Sequence, residues 1–138
     1  MIDLILLYQQ LMSHEGVRTK MYVDTVGKRT IGVGHNLDDK PLSMRAVRVI
    51  LEDDAADAIR DAMTLACWSA VESDDVRARV LVDMCFNLGI GGLRAFRNML
   101  AAVENHDWGR AADEMKNSKW YAQVGDRGVA LERMMREG

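Results

Sequence analysis

"HEGVRTKMYVDTVGKRTIGVGH", from His14 to His35, decides how this chain is read. Before it, Ile2, Ile5, Leu6, Leu11 and Met12 recur at helical spacing and predict a helix over residues 2–13, with Gly16 as its stop. Inside it the period changes. "MYVDT" and "RTIGVGH" flank "VGK", which predicts two short strands around a turn at Gly27. Beyond it the pattern is helical again. Ser43 is a good N-cap for a stripe from Met44 through Ile50, Ile59 and Met63 to Ala66. That helix of residues 44–66 is long for a chain of 138 residues, and it suits a spine between a small lobe and a larger one.

The remainder predicts further helices. Ser73, followed by two aspartates, opens one that runs to about Asn87. "GIGG" at 89–92 breaks it, and helices follow near 93–104 and 107–116. "NSKWYAQVGD" reads as a turn before a last helix from about Arg127. The expected class is α+β, mostly α, with a small N-terminal β-hairpin lobe joined by a long helix to a helical C-terminal lobe. Residues 14–43 would form the small lobe, and 67–138 together with 1–13 the helical one.

Composition narrows the functions. Hydrophobic residues make up 49% of the chain, enough for a core, and the net charge is −3. Residues 38–66 hold four basic and seven acidic groups, so the acid excess sits in the middle. A basic, nucleic-acid-binding composition is absent. Nothing approaches a membrane span, and "MIDLILLYQQ" does not read as a secretion signal, so the expectation is a chain made and first held in the cytoplasm. Cys67 and Cys85 match no metal spacing and sit in apolar helical contexts, as reduced core thiols do.

The segment's polar residues each have a bland explanation. Glu15 at a helix end could be a solvated, frayed glutamate. The same position sets a carboxyl against the negative end of the helix macrodipole, which suits a general acid. Asp24 enters a turn, where aspartate is common for local reasons. Thr30 is β-branched on a strand. Together they read differently. An acid on a helix end and an acid on a hairpin can flank a cleft, the equipment for cleaving a glycosidic bond, and a hydroxyl beside the second acid can hold water. Gly32 and Gly34 weaken a strand unless a backbone or ligand comes close, so a polymer lying there would explain them. His35 could be a ligand, a base or a structural partner of a carboxylate. His14 lacks the HExxH zinc spacing and His106 is isolated, so no metal is expected.

The pattern HEG…Y.DT.G..TIG.GH resembles the active-site signature of the phage-type lysozymes, the muramidase endolysins of glycoside hydrolase family 24. "MCFNLGIGGLRAF" and "SKWYAQVGDRG" resemble two further segments of that family. The resemblance implies that Glu15 protonates the leaving oxygen, Asp24 acts as base or charge stabiliser, and Thr30 helps to place water. It implies substrate contacts at Gly32, Phe86 and Asn87, and supporting pairs of Arg127 with Glu15 and His35 with Asp54. The family is inverting, which implies carboxyls about 6.5–9.5 Å apart. The implied substrate is the β-1,4 bond between N-acetylmuramic acid and N-acetylglucosamine in peptidoglycan. No cofactor and no nucleic acid are implied. The enzyme would be a monomer that waits in the host cytoplasm for a holin to open the way to the wall.

Two departures bear on this. Only "NLDDKPL" separates His35 from Ser43, where some relatives have a third strand and an extra helix. Many relatives are basic, while this chain is mildly acidic. A rival reading is a catalytically silent relative that binds glycan or builds a virion. Elsewhere, Trp68, Trp108 and Trp120 could stack on sugars but fit helix packing better. Arg94 and Arg97 could face the wall polymer or simply solvent, and the ten methionines read as core filler.

Overall fold

Asp3 opens the first helix, α1 (Leu4–Glu15), its Oδ1 accepting the Ile5 and Leu6 N–H groups at 3.0 and 3.1 Å. Gly16 ends it at φ +77°, a conformation that favours glycine. The computed structural model describes all 138 residues. Three strands follow, β1 (Arg18–Val23), β2 (Arg29–Gly32) and β3 (His35–Asn36), antiparallel and in that order across the sheet. The hairpin is where the sequence puts it. The third strand was not expected, because "NLDDKPL" is short. Gly32 and Gly34 take φ +70° and +65° and turn the chain fast enough for His35 and Asn36 to pair back on Ile31 and Thr30.

The long helix, α2, covers Met44–Ala62. Ser43 Oγ accepts the Ala46 N–H at 3.1 Å, the expected cap. The helix stops four residues short of Ala66, in turns in which Thr64 and Leu65 bond back to Asp61 and Ala62. A short 3-10 turn, Trp68–Ala70, precedes α3 (Asp75–Arg94). Asp74 caps α3, not Ser73. Gly89 leaves the helical conformation at φ +74°, so the helical path is broken at "GIGG", as the sequence predicts, and two helical stretches meet there at a kink. Then come α4 (Arg97–Glu104), α5 (Trp108–Lys116), α6 (Lys119–Val124) and α7 (Asp126–Glu137). The stretch read as a turn thus holds a short helix, started by Ser118, whose Oγ accepts the Tyr121 N–H. The fold is mostly helical with one small antiparallel sheet, as the sequence predicts.

The chain divides into two compact units, Met1–Val49 and Ile50–Gly138, and the division falls inside α2. In the second unit the core gathers Leu81, Met84, Leu93, Met99, Val103 and Met115, all essentially sealed from solvent. Four of the ten methionines are buried there. Both cysteines are free and buried, and burial pushes the Cys67 thiol up to about 11. Trp120 is buried, its ring edge-on to Phe96 at 6.0 Å. Trp108 carries the Arg77 guanidinium over its face at 4.3 Å. The tryptophans of this unit pack helices. No helix is long and apolar enough to cross a membrane.

Candidate active site

Within the first unit, Glu15 is the last residue of α1 and its carboxyl lies against the backbone of Gly34. A Cβ added to Gly34 would stand 2.7 Å from Glu15 Oε2 and 3.0 Å from its Cδ. Gly34 is favoured by its φ of +65°, and a side chain there would also displace the end of Glu15. The sequence reading gave both glycines to an approaching polymer. For Gly34 the close neighbour is the chain's own glutamate. A Cβ on Gly32 would meet nothing within 4 Å, so its need is conformational.

Asp24 and Thr30 meet at one residue, Lys28. Asp24 Oδ1 accepts the N–H of Lys28 at 2.8 Å and that of Val26 at 2.9 Å, which builds the turn. Thr30 Oγ1 donates to the Lys28 carbonyl at 3.0 Å. The backbone of a single residue thus links the second acid to the hydroxyl. Asp24 keeps Oδ2 outside these bonds, so one oxygen holds the turn and the other is available for chemistry. Thr30 is 3% exposed. With its proton given to Lys28, its oxygen can only accept a hydrogen bond from a water.

The surrounding loop is fastened by charge. The Arg29 backbone N–H donates to Asp38 Oδ2 at 2.7 Å and its Nε to Asp38 Oδ1 at 2.8 Å. The Arg29 guanidinium holds the Asp38 carboxyl below its ordinary range. Lys28 Nζ pairs with Asp39 at 3.0 Å. His35 Nε2 lies 3.0 Å from the Lys40 carbonyl, which requires the proton on Nε2. His35 is thus a strut inside its own unit. Asp54, its expected partner, belongs to the second unit.

The unit therefore presents an exposed helix-end acid beside Gly34, a turn aspartate with one uncommitted oxygen, and a buried threonine, the last two fixed by backbone. The phage lysozyme family model matches residues 12–136. The chain belongs to the phage lysozyme family. It is 30% identical to the pre-baseplate central spike protein Gp5 of Enterobacteria phage T4, over 86% of this chain and 25% of that protein. It is 26% identical to probable T4-type lysozyme 1 of Dictyostelium discoideum, over 82% of this chain and 83% of that one. It is also 26% identical to the peptidoglycan hydrolase gp36 of Pseudomonas phage phiKMV, over 92% of this chain and 15% of that protein. The chain thus spans a quarter or less of the two larger phage relatives.

In the second unit of this phage lysozyme family member, Phe86 is half exposed on α3 and Asn87 follows it. Asn87 Oδ1 accepts the Trp120 indole N–H at 2.9 Å, which ties α3 to α6. Arg127 Nε donates to Asp83 Oδ1 at 2.7 Å and Nη2 reaches the Asp83 carbonyl at 3.4 Å. The expected partner of Arg127, Glu15, lies in the first unit. Asp83 was missed in the sequence, although a lone acid in the apolar run "VLVDMCF" is a signal. Lys28 carried none, since its part is played by backbone atoms.

Proposed function

We propose that this chain is a muramidase that hydrolyses the β-1,4 bond between N-acetylmuramic acid and N-acetylglucosamine in peptidoglycan. The family match carries this reading, because it spans Glu15, Asp24 and Thr30 together. Glu15 gives its proton to the leaving glycosidic oxygen as that bond breaks. A water held by Thr30 attacks the sugar's anomeric carbon from the opposite face. Asp24, through Oδ2, takes the water's proton or balances the positive charge on the ring. The product is inverted. Gly32, Phe86 and Asn87 touch the glycan. No metal or cofactor takes part. The enzyme acts as a monomer in host lysis, after a holin has opened the membrane.

Clearing of permeabilised bacterial cells tests the reading. Wild type should clear them, and Glu15→Gln should lose at least ~100-fold in rate, the usual worth of a positioned acid. Mass spectrometry of the digest should find reducing-end muramic acid. A 1,6-anhydro product would overturn the water-holding role of Thr30. Likeness to the spike protein favours a second reading, a silent wall-binding part of a virion. That reading gains if wild type and Glu15→Gln both bind purified wall and neither cuts it.

A further inference from the structure

The peptide unit between Lys28 and Arg29 is held at both ends. Its carbonyl, on Lys28, accepts the Thr30 hydroxyl at 3.0 Å and the Asp24 N–H at 2.9 Å. Its N–H, on Arg29, donates to Asp38 Oδ2 at 2.7 Å. A peptide unit is planar, so its two ends turn together. A carboxylate on the N–H side also polarises the unit and makes its carbonyl a stronger acceptor. Asp38 therefore bears on the Thr30 hydroxyl through a single peptide.

The loop after β3 keeps Asp38 in place. Asn36 Oδ1 accepts the N–H groups of Asp38 and Asp39, both at 3.0 Å, and Asn36 Nδ2 donates to Asp39 Oδ2 at 3.0 Å. Asn36 itself stands opposite Thr30 in the sheet. The Leu37 N–H donates to the Arg29 carbonyl at 2.8 Å, which ties the loop to β2 a second time. The Asp38 side chain is 22% exposed and the Arg29 side chain 66%. An ion pair with one partner so far in solvent contributes little. A carboxylate on a backbone N–H is short and charge-assisted, and here it is the stronger of the two links.

We propose that Asp38 is a positioning residue of the candidate active site, which keeps the Thr30 hydroxyl proton on the Lys28 carbonyl so that Oγ1 offers only lone pairs to the attacking water. The proposal rests on the muramidase reading for the water. A water that donates to Thr30 and Asp24 keeps its own lone pairs for the sugar carbon. Without Asp38 the peptide is free to tilt, and the hydroxyl can swing its proton toward the water. A water that accepts from Thr30 commits a lone pair that the sugar carbon needs.

Kinetics on purified wall and proton NMR of the intact chain test it. Asp38→Ala should lower kcat about tenfold at unchanged KM, short of the ~100-fold expected of Glu15→Gln. Asp38→Asn keeps an acceptor for the Arg29 N–H and should recover most of the rate. Arg29→Ala removes the ion pair but keeps the backbone bond, so it should stay within about twofold of wild type. In a Thr30→Val background, Asp38→Ala should cost nothing further. If Arg29→Ala loses as much as Asp38→Ala, or if Asp38→Ala costs as much without the Thr30 hydroxyl as with it, loop stability alone explains the loss and the proposal is overturned. NMR reads the same link without catalysis. The Arg29 amide proton should lie downfield in wild type and move upfield in Asp38→Ala. The Thr30 hydroxyl proton should exchange slowly in wild type and be lost in the variant, while the amide signals of the sheet persist. A hydroxyl signal that Asp38→Ala leaves unchanged overturns the proposal as well. A wild type that cuts no wall, yet shows a hydroxyl signal dependent on Asp38, would sink the muramidase reading and leave the link between Asp38 and Thr30 standing.

Discussion

Gly34 illustrates how one residue answers to the backbone and to a neighbouring side chain at once. Its φ of +65° costs any other residue about 1–2 kcal/mol. A methyl there also stands 2.7 Å from Glu15 Oε2, and the flexible glutamate end must move aside. Gly34→Ala should therefore lower stability by roughly 1–2 kcal/mol in a urea titration. It should lower muramidase activity by about 100-fold, the usual effect of misplacing a reacting group by an ångström. In stability Gly32→Ala pays only the conformational part. At this scale the sequence was legible where chemistry follows residue type. Glu15, Asp24 and Thr30 stand out in the sequence as a set, and the family match spans all three. The contact that explains Gly34 could not, because it joins residues nineteen apart through a turn whose tightness depends on two positive φ angles. The division of labour between the two oxygens of Asp24 was equally invisible, since it is a matter of hydrogen-bond direction.

The elements were legible by period, and their ends less so. The stripe of α2 runs on through Met63 and Ala66, yet the helix ends at Ala62 because the backbone there turns back on itself. The same limit applies to α6, a helix of only six residues, too short to show a period. One closure between elements depends on Arg77. Its Nε and Nη2 donate to the carbonyls of Met135 and Arg136 at the end of α7, while Nη1 pairs with Asp74 at 2.8 Å. A cation there meets the negative end of a helix dipole. The side chain is only 12% exposed, so its loss leaves carbonyls poorly served. Arg77→Ala should cost about 2–3 kcal/mol by chemical denaturation, the scale of charged hydrogen bonds. Arg77→Lys should recover only part, lacking the forked donors.

Asp74 and Asp38 make elements sensitive to acid. Burial works to raise Asp74, but the Arg77 side chain and backbone N–H outweigh it and hold the carboxyl below its ordinary range. Asp38 is lowered by Arg29. A carboxyl lowered in the folded state stabilises above its unfolded value and loses that stabilisation as pH falls through the folded one. Thermal unfolding should thus be level above about pH 5 and fall steeply below about pH 4, near the unfolded aspartate value. Asp74→Asn should flatten that fall while lowering stability at neutral pH. An unchanged acid limb in the variant would assign the loss to other carboxylates.

Over the whole molecule, composition announced a core but not its location. The buried cluster lies in the second unit, assembled from α3, α4, α5, α6 and α7 with the end of α2 and the turns before α3. The helical stretches on either side of Gly89 both serve this core, with Val80, Leu81 and Met84 before it and Leu93 after. Cys67 and Cys85 are 2% and 3% exposed in the same cluster. A thiol shifted to about 11 is almost wholly protonated at neutral pH, and its thiolate is the reactive form. Native chain should react with Ellman's reagent only as fast as it opens, and two thiols should appear at once in denaturant. Rapid labelling of the native chain would contradict the sealed core. The consequence concerns the surroundings the protein can tolerate. With no disulfide to lose and no thiol on offer, its folded form is indifferent to redox potential, and passage from a reducing compartment into an oxidising one asks nothing of it.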